Sequence, residues 1–183
     1  MKLEELIIPG WMLIKEIHLS PLSNQIMLMK LDLSRNESIS DVTVNYICNL
    51  PLLKELNLYQ SCITDNGVKK LMLMPSLRVL DINYCSLLSN ECLASVGMSS
   101  IRELSVQYSG ITGIVHLKSS KSLKKLNISG ITDVDLICLK SLKLTCLTSK
   151  STELTKEGID RFCKESNMKV VIRGWCMKFV NCF

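Results

Sequence analysis

The strongest feature of this chain is a spacing of apolar residues that returns at nearly constant intervals. The pattern apolar-x-x-apolar-x-apolar occurs as LMKLDL from Leu28, LKELNL from Leu53, LRVLDI from Leu77, IRELSV from Ile101 and LKKLNI from Leu123. The intervals are 25, 24, 24 and 22 residues, and a shorter echo, LKSLKL, begins 16 residues later at Leu139. After each of the first five cassettes comes a turn-like stretch and one more apolar anchor: Ile39, Ile63, Leu88, Ile111 and Ile131. Self-similarity at such a period is the mark of a stacked-repeat architecture.

Each cassette predicts a short strand with three inward anchors, followed by a turn and a return segment. One coil cannot bury its own apolar flank, so neighbours must stack into a continuous core. The return segments carry helix signals. SDVTVNYICNLP offers Ser40 as a cap with Val44 and Ile47 at helical spacing, closed by Pro51. TDNGVKKLMLMP repeats this with Thr64, Val68, Leu71, Met72 and Pro75, and SNECLASVGM with Ser89, Leu93 and Val96. TKEGIDRFCKES puts Ile159 and Phe162 on one face. The returns after Ile111 and Ile131 look too short for full helices. The predicted fold is an α/β solenoid, a horseshoe with a parallel sheet on its concave face and short helices or turns on its convex face.

These cassettes resemble leucine-rich repeats, and in particular the cysteine-containing, ribonuclease-inhibitor-like subtype that follows F-box domains. LKELNLYQSCITDNGVKKL over 53–71 is similar to the family pattern, with Cys62 one place late; LRVLDINYCSLLSNECLASV over 77–96 has Cys85 in register. Asn36 takes the cysteine position in the preceding cassette. The resemblance runs over about residues 28–165 and weakens after Leu123. LEELII at Leu3 and IKEIHL at Ile14 also look like strand cassettes, but at spacings of 11 and 14 residues. The expected organisation is therefore an irregular amino-terminal cap over 1–27, five to six repeat coils over 28–166, and a capping strand with an apolar tail over 167–183. The resemblance implies a protein-binding scaffold. An F-box would have to precede the repeats, and a first cassette at Leu3 leaves no room for one.

Composition narrows the reading. Of the 183 residues, thirty are Leu and seventeen Ile against one Ala, Ala94, which disfavours a helical bundle. No uncharged apolar run is long enough to cross a bilayer, and MKLEELIIPGW lacks the basic start of a secretory signal. Nine cysteines without a C-x-x-C pair read as reduced intracellular thiols, most of them core filler. These features point to an intracellular protein, cytoplasmic or nuclear, with no membrane partner.

The chain offers little to a reaction. Its two histidines, His18 and His116, sit near no nucleophile motif, and no phosphate-binding or zinc-ligand spacing occurs. No catalytic residue, metal, cofactor or small-molecule substrate is expected. The surface of the strand ladder is more informative. Between the second and third anchors stand Asp32, Asn57, Asp81, Ser105 and Asn127; just past the third come Ser34, Tyr59, Asn83, Gln107 and Ser129, then Arg35, Gln60, Tyr84, Tyr108 and Gly130. Three of four tyrosines fall along one edge. Tyrosine offers large contact area with a polar tip, which suits a binding hot spot; the rings could equally pack on one another. The expected partner-binding set is Asp32, Arg35, Asn57, Tyr59, Asp81, Tyr84, Gln107, Tyr108 and Asn127.

A net charge of +5 concentrates at Lys118, Lys121, Lys124 and Lys125, a candidate basic patch, and in the tail at Lys169, Arg173 and Lys178. The tail WCMKFVNCF is apolar enough to require cover, from its own chain or from a partner subunit. The favoured function is a non-enzymatic protein–protein interaction module, an adaptor or structural subunit of a larger assembly. Two alternatives stand behind it: a substrate-recognition component of a ubiquitin ligase lacking the F-box, and an RNA-contacting subunit of a ribonucleoprotein.

Overall fold

The computed structural model of the protein describes residues 3–10, 14–150, 153–166 and 169–172. Eight strands lie in sequence order in one parallel sheet: β1 Glu5–Ile7, β2 Lys30–Asp32, β3 Glu55–Asn57, β4 Val79–Asp81, β5 Glu103–Val106, β6 Lys125–Ser129, β7 Cys146–Lys150 and β8 Lys169–Ile172. The middle anchors run in register from Leu31 through Leu56, Leu80 and Leu104 to Leu126. All fifteen anchors of the five cassettes are no more than 2% exposed. Stacked Leu and Ile side chains thus make one continuous core, each coil covering the flank of the next.

Both ends of the repeat differ from the sequence expectation in phase. Leu3 lies 25 residues before Leu28, and Glu5–Ile7 pairs with Lys30–Asp32, so LEELII supplies the strand of a further coil. IKEIHL is not a strand: Glu16–Asn24 forms a 3-10 helix on the convex side, and Ile17 is 70% exposed. At the other end LKSLKL is not a strand either. Leu139 closes a helix, and the fifth cassette's neighbour is the strand Cys146–Lys150, with Leu147 opposite Leu126 and Ser149 opposite Ile128. Its anchors are therefore Leu144, Leu147 and Ser149, a buried serine standing where the pattern asks for an aliphatic residue. Of MKVVI, Lys169–Ile172 forms β8, paired with β7; Met168 and the tail WCMKFVNCF, with Arg173 and Lys178, lie outside the described residues.

The returns are α1 Asp41–Ile47, α2 Asp65–Leu71, α3 Cys92–Gly97, a 3-10 helix at Val115–Ser119, α4 Asp133–Leu139 and α5 Lys156–Ser166. α4 is as long as α1 and α2, contrary to the expectation of a shortened return; the chain gains room before it, because Ile131 follows the left-handed Gly130 directly, where Ile39 and Ile63 come four and three residues after Arg35 and Gln60. The inward residues Val44, Ile47, Val68, Leu71, Leu93, Val96, Ile159 and Phe162 are buried.

A side-chain relay joins these helices at their amino ends. The Asp41 carboxylate accepts from the Thr64 N–H at 2.9 Å and the Thr64 hydroxyl at 2.6 Å. Asp65 holds Ser89 in the same way at 2.9 and 2.6 Å, and Asp133 holds Thr155 at 3.0 and 2.5 Å. The residue after each cap thus fixes the cap of the following coil, satisfying donors that a helix start leaves open. Space for the carboxylate comes from glycine: a Cβ at Gly67 would stand 2.2 Å from Asp41 Oδ1, and one at Gly158 2.2 Å from Asp133 Oδ1. Gly113 occupies the relay position of its coil without a side chain. There Asp135 folds back onto Thr132 of its own helix instead.

Where each strand ends, the chain turns through a left-handed residue: Gly10, Arg35, Gln60, Tyr84, Tyr108 and Gly130 have φ between 53° and 70°. This geometry aims the residue's N–H at the next coil, as in Arg35 N to Tyr59 O at 2.7 Å and Tyr84 N to Gln107 O at 2.8 Å. The residue after it points inward and binds carbonyls of the preceding coil. Asn36 donates to Ile8 O at 3.3 Å, Cys85 to Leu58 O at 3.3 Å and Ser109 to Ile82 O at 2.7 Å. Ser61, not Cys62, fills this site in its coil, with its hydroxyl 3.4 Å from Cys85 Sγ. Cys62 is exposed, which corrects the expectation of a buried turn cysteine there. Cys48, Cys62, Cys85, Cys92, Cys138 and Cys146 are free thiols, whereas Cys163 is disulfide-bonded, which the expectation of reduced thiols did not include.

Candidate functional site

The concave face carries two polar rows. In one, Lys30 meets Glu55 at 3.7 Å and Lys125 meets Glu103 at 2.8 Å. Both pairs are exposed, so each contributes little to stability, but each removes a free charge from the wall. Lys125 is thereby taken out of the candidate basic patch. Lys124 donates to Lys143 O at 3.3 Å, leaving Lys118 and Lys121 exposed.

In the second row, the half-buried Asp32, Asn57 and Asp81 are occupied with ending their own strands. Their Oδ1 atoms accept from Ser34 N, Tyr59 N and Asn83 N at 2.9, 3.0 and 2.9 Å. Asn57 Nδ2 also donates to Asp32 Oδ2 at 3.0 Å. Burial pushes the Asp81 carboxyl above its ordinary range; the N–H of Asn83 opposes the shift and the charge of Asp32 adds to it. Asn127 is half-buried in the same row. Gln107 is only 7% exposed and so is a buried turn residue, with little surface to offer a partner.

The tyrosines come together. Tyr59 and Tyr84 have ring centroids 5.1 Å apart, Tyr84 and Tyr108 4.8 Å apart, at tilts of 48° and 32°. This spacing is that of adjacent strands, because one ring comes from each successive coil. The column ends in cations: Arg35 Cζ lies 6.0 Å from the Tyr59 centroid and Lys150 Nζ 5.8 Å from that of Tyr108. Tyr84 and Tyr108 remain 44% and 47% exposed while stacked. The two readings weighed from sequence, packing on one another and presenting surface, are therefore both realised in the geometry.

Backbone cost marks this edge further. Left-handed geometry costs a residue with a Cβ about 1–2 kcal/mol, and Gly10 and Gly130 avoid that cost. Arg35, Gln60, Tyr84 and Tyr108 do not. Each stacked ring pair returns about 0.5–1.5 kcal/mol, which roughly offsets the strain without a surplus. Lys150 was not among the predicted residues. It becomes legible only once β7 is phased from Leu144, which sets Lys150 beside Ser129.

His18 is exposed, with Nδ1 accepting from Lys15 N, and His116 is half-buried. Among the described residues, no three His, Cys, Asp or Glu side chains gather as metal ligands, and no helix is long and apolar enough to cross a membrane. Burial pushes the Cys92 thiol up to about 12, helped by the nearby Asp65.

Residues 26–87 match the Leucine rich repeat family. Internalin C2 from Listeria monocytogenes is 23% identical with a TM-score of 0.53, over 85% of this chain and 66% of the internalin. The fold is a leucine-rich repeat solenoid. A crystal structure of a TLR13–ssRNA13 complex is similar at 17% identity and a TM-score of 0.58, over 88% of this chain and 27% of TLR13. The chain thus spans just under two thirds of one of these relatives and about a quarter of the other. No curated protein matches it in sequence. Leucine-rich repeat domains are typically non-enzymatic modules for protein–protein interaction.

Proposed function

We propose that this leucine-rich repeat chain is a non-enzymatic protein-interaction module that grips its partner along the tyrosine edge of the concave sheet. The observation that carries this reading is the column Tyr59–Tyr84–Tyr108, two of whose rings stand on strained backbone and stay half-exposed. Strain retained without a folding surplus points to selection for something other than stability. Arg35, Asn57, Asp32, Asp81 and Asn127 flank the column and would shape its rim. In this reading the module works as an adaptor or structural subunit. We also read its repeats as the cysteine-containing subtype, supported by the buried Cys85 in register and the T-D-x-G run at Thr64–Gly67.

The test is affinity isolation of the chain from its native cells, beside a Tyr84→Asn, Tyr108→Asn variant. Asparagine tolerates left-handed backbone, so the variant keeps the turns while removing the rings. A stoichiometric protein partner lost from the variant, with the melting temperature nearly unchanged, is the expected result. A partner retained in full by the variant would refute this placement. Recovery of ubiquitin-ligase scaffold proteins would assign the module to substrate recognition, and nuclease-sensitive recovery would assign it to RNA.

A further inference from the structure

We infer that the occupant of this edge is an extended segment of a protein partner carrying two acidic side chains, one at each end of a short neutral stretch. The inference rests on the proposed binding function and deepens it by naming the chemistry recognised.

The argument begins with what stacking leaves over. An aromatic ring is electron-rich on its faces and electron-poor at its edge. In the column each ring leans against its neighbour at 48° or 32°, and Arg35 and Lys150 lie over the rings of Tyr59 and Tyr108. A cationic ligand would therefore find the faces it needs already taken. Stacking a flat base between the rings would require the 4.8 and 5.1 Å spacings to open. Solvent instead meets ring edges and phenolic hydroxyls, which favour acceptors and negative charge.

The charge pattern along the column sets the ligand's shape. Arg35 and Lys150 are both exposed and stand at the two ends, with three uncharged rings between them. On the strand that leads to the middle ring, Tyr84, stands Asp81, tied to Asn83, while Asp32, on the strand that leads to Arg35, is tied to Ser34 and Asn57. Negative charge is thus drawn to the cation at either end and finds none between them. From one cationic head to the other, four steps of 4.8–6.0 Å make a path of about 22 Å. An extended chain covers that distance in about six or seven residues. The segment that fits has Asp or Glu at each end of such a stretch and apolar or prolyl residues over the tyrosines, where flat rings favour them.

Selection from a displayed library of random twelve-residue peptides on the intact chain tests this directly. The expected result is enrichment of sequences with two acids separated by about five to seven neutral residues. Arg35→Gln, Lys150→Gln and the Tyr84→Asn, Tyr108→Asn pair should each weaken such peptides about tenfold or more, with binding falling as salt rises. Enrichment of peptides without spaced acids, binding unchanged in these variants, tyrosine-dependent capture of single-stranded oligonucleotides in preference to peptides, or no enrichment would each overturn the inference. The native-partner isolation above separates the two levels. If the partner depends on Tyr84 and Tyr108 but not on Arg35 or Lys150, the binding function stands and the acidic segment falls. If the partner ignores the tyrosines, both fall.

Discussion

Replacing Gly67 by alanine should destabilise this protein, although the same change in an ordinary helix would stabilise it. Gly67 is the third residue of α2, where alanine is favoured over glycine by up to about 1 kcal/mol. Here the added Cβ would stand 2.2 Å from Asp41 Oδ1 and 3.0 Å from Asp41 Cγ, while Val44 Cγ2 at 3.5 Å is an ordinary contact. The carboxylate must swing away and release both the N–H and the hydroxyl of Thr64. Hydrogen bonds to a charged group are worth about 1.5–3 kcal/mol. Because Asp41 is half-exposed, solvent screening brings each bond below that range, to about 1 kcal/mol, or roughly 2 kcal/mol for the pair. The net loss is about 1 kcal/mol once the helix gain is subtracted. In an Asp41→Ala background the obstruction is gone, so Gly67→Ala should then stabilise by up to about 1 kcal/mol. A double-mutant cycle by urea unfolding, followed by circular dichroism with slopes compared across the four proteins, reads the coupling as about 2 kcal/mol. If Gly67→Ala stabilises the unaltered chain, or the coupling falls within about 0.5 kcal/mol of zero, the relay does not hold the coils as described.

Asp81→Asn should raise stability at neutral pH. The folded-state pKa of Asp81 lies above its unfolded value, so its stabilising contribution is complete below the unfolded pKa and is lost as pH rises through the folded one. Asparagine keeps the acceptor for Asn83 N without that loss, so unfolding midpoints of the two proteins should converge on acidification below about pH 4. Cys85→Ser should be nearly neutral, since Ser109 fills the equivalent site with the same inward bond, whereas Cys85→Ala should lose about 1 kcal/mol by leaving Leu58 O unbound. Thermal melts of the two variants compare them. Iodoacetamide under native conditions should label the exposed Cys62 and leave the buried Cys92 unmodified, as peptide mass spectrometry would show; equal labelling would place Cys92 outside the core.

The middle of the fold was legible because each coil there spends an aliphatic residue at every anchor, so the period survives in the letters. It failed where other segments imitate the spacing. Ile14, Ile17 and Leu19 match the cassette although Ile17 faces solvent, and Leu139, Leu142 and Leu144 match it while spanning a helix end and a loop. The true seventh strand hides because its third anchor is Ser149. Losing that phase also hid Lys150, and with it the cation at one end of the tyrosine column. Cysteine position misled for a similar reason: Ser61 and Cys62 are adjacent, and only the turn's geometry decides which points inward. The relay had a signal that could have been used, the recurrence of Thr or Ser followed by Asp or Asn at 40–41, 64–65, 89–90 and 132–133. The tyrosine edge could be located from register, but its stacking and its cationic ends needed coordinates.

The missing side chain at Gly113 has a mechanical consequence. Elsewhere a carboxylate or amide stitches one return segment to its successor, but at this junction Asp135 closes on its own helix and the stitch is dropped. A linear array in which each unit leans only on its neighbours parts where the coupling between neighbours is least. On its convex side the solenoid therefore has a seam between the coil of Ile101 and the coil of Leu123, whose strands stay paired over four residues. The amino-terminal block carries all three tyrosines of the column, while the carboxy-terminal block carries Lys150. A ligand lying across the column would bridge that seam and act as a splint.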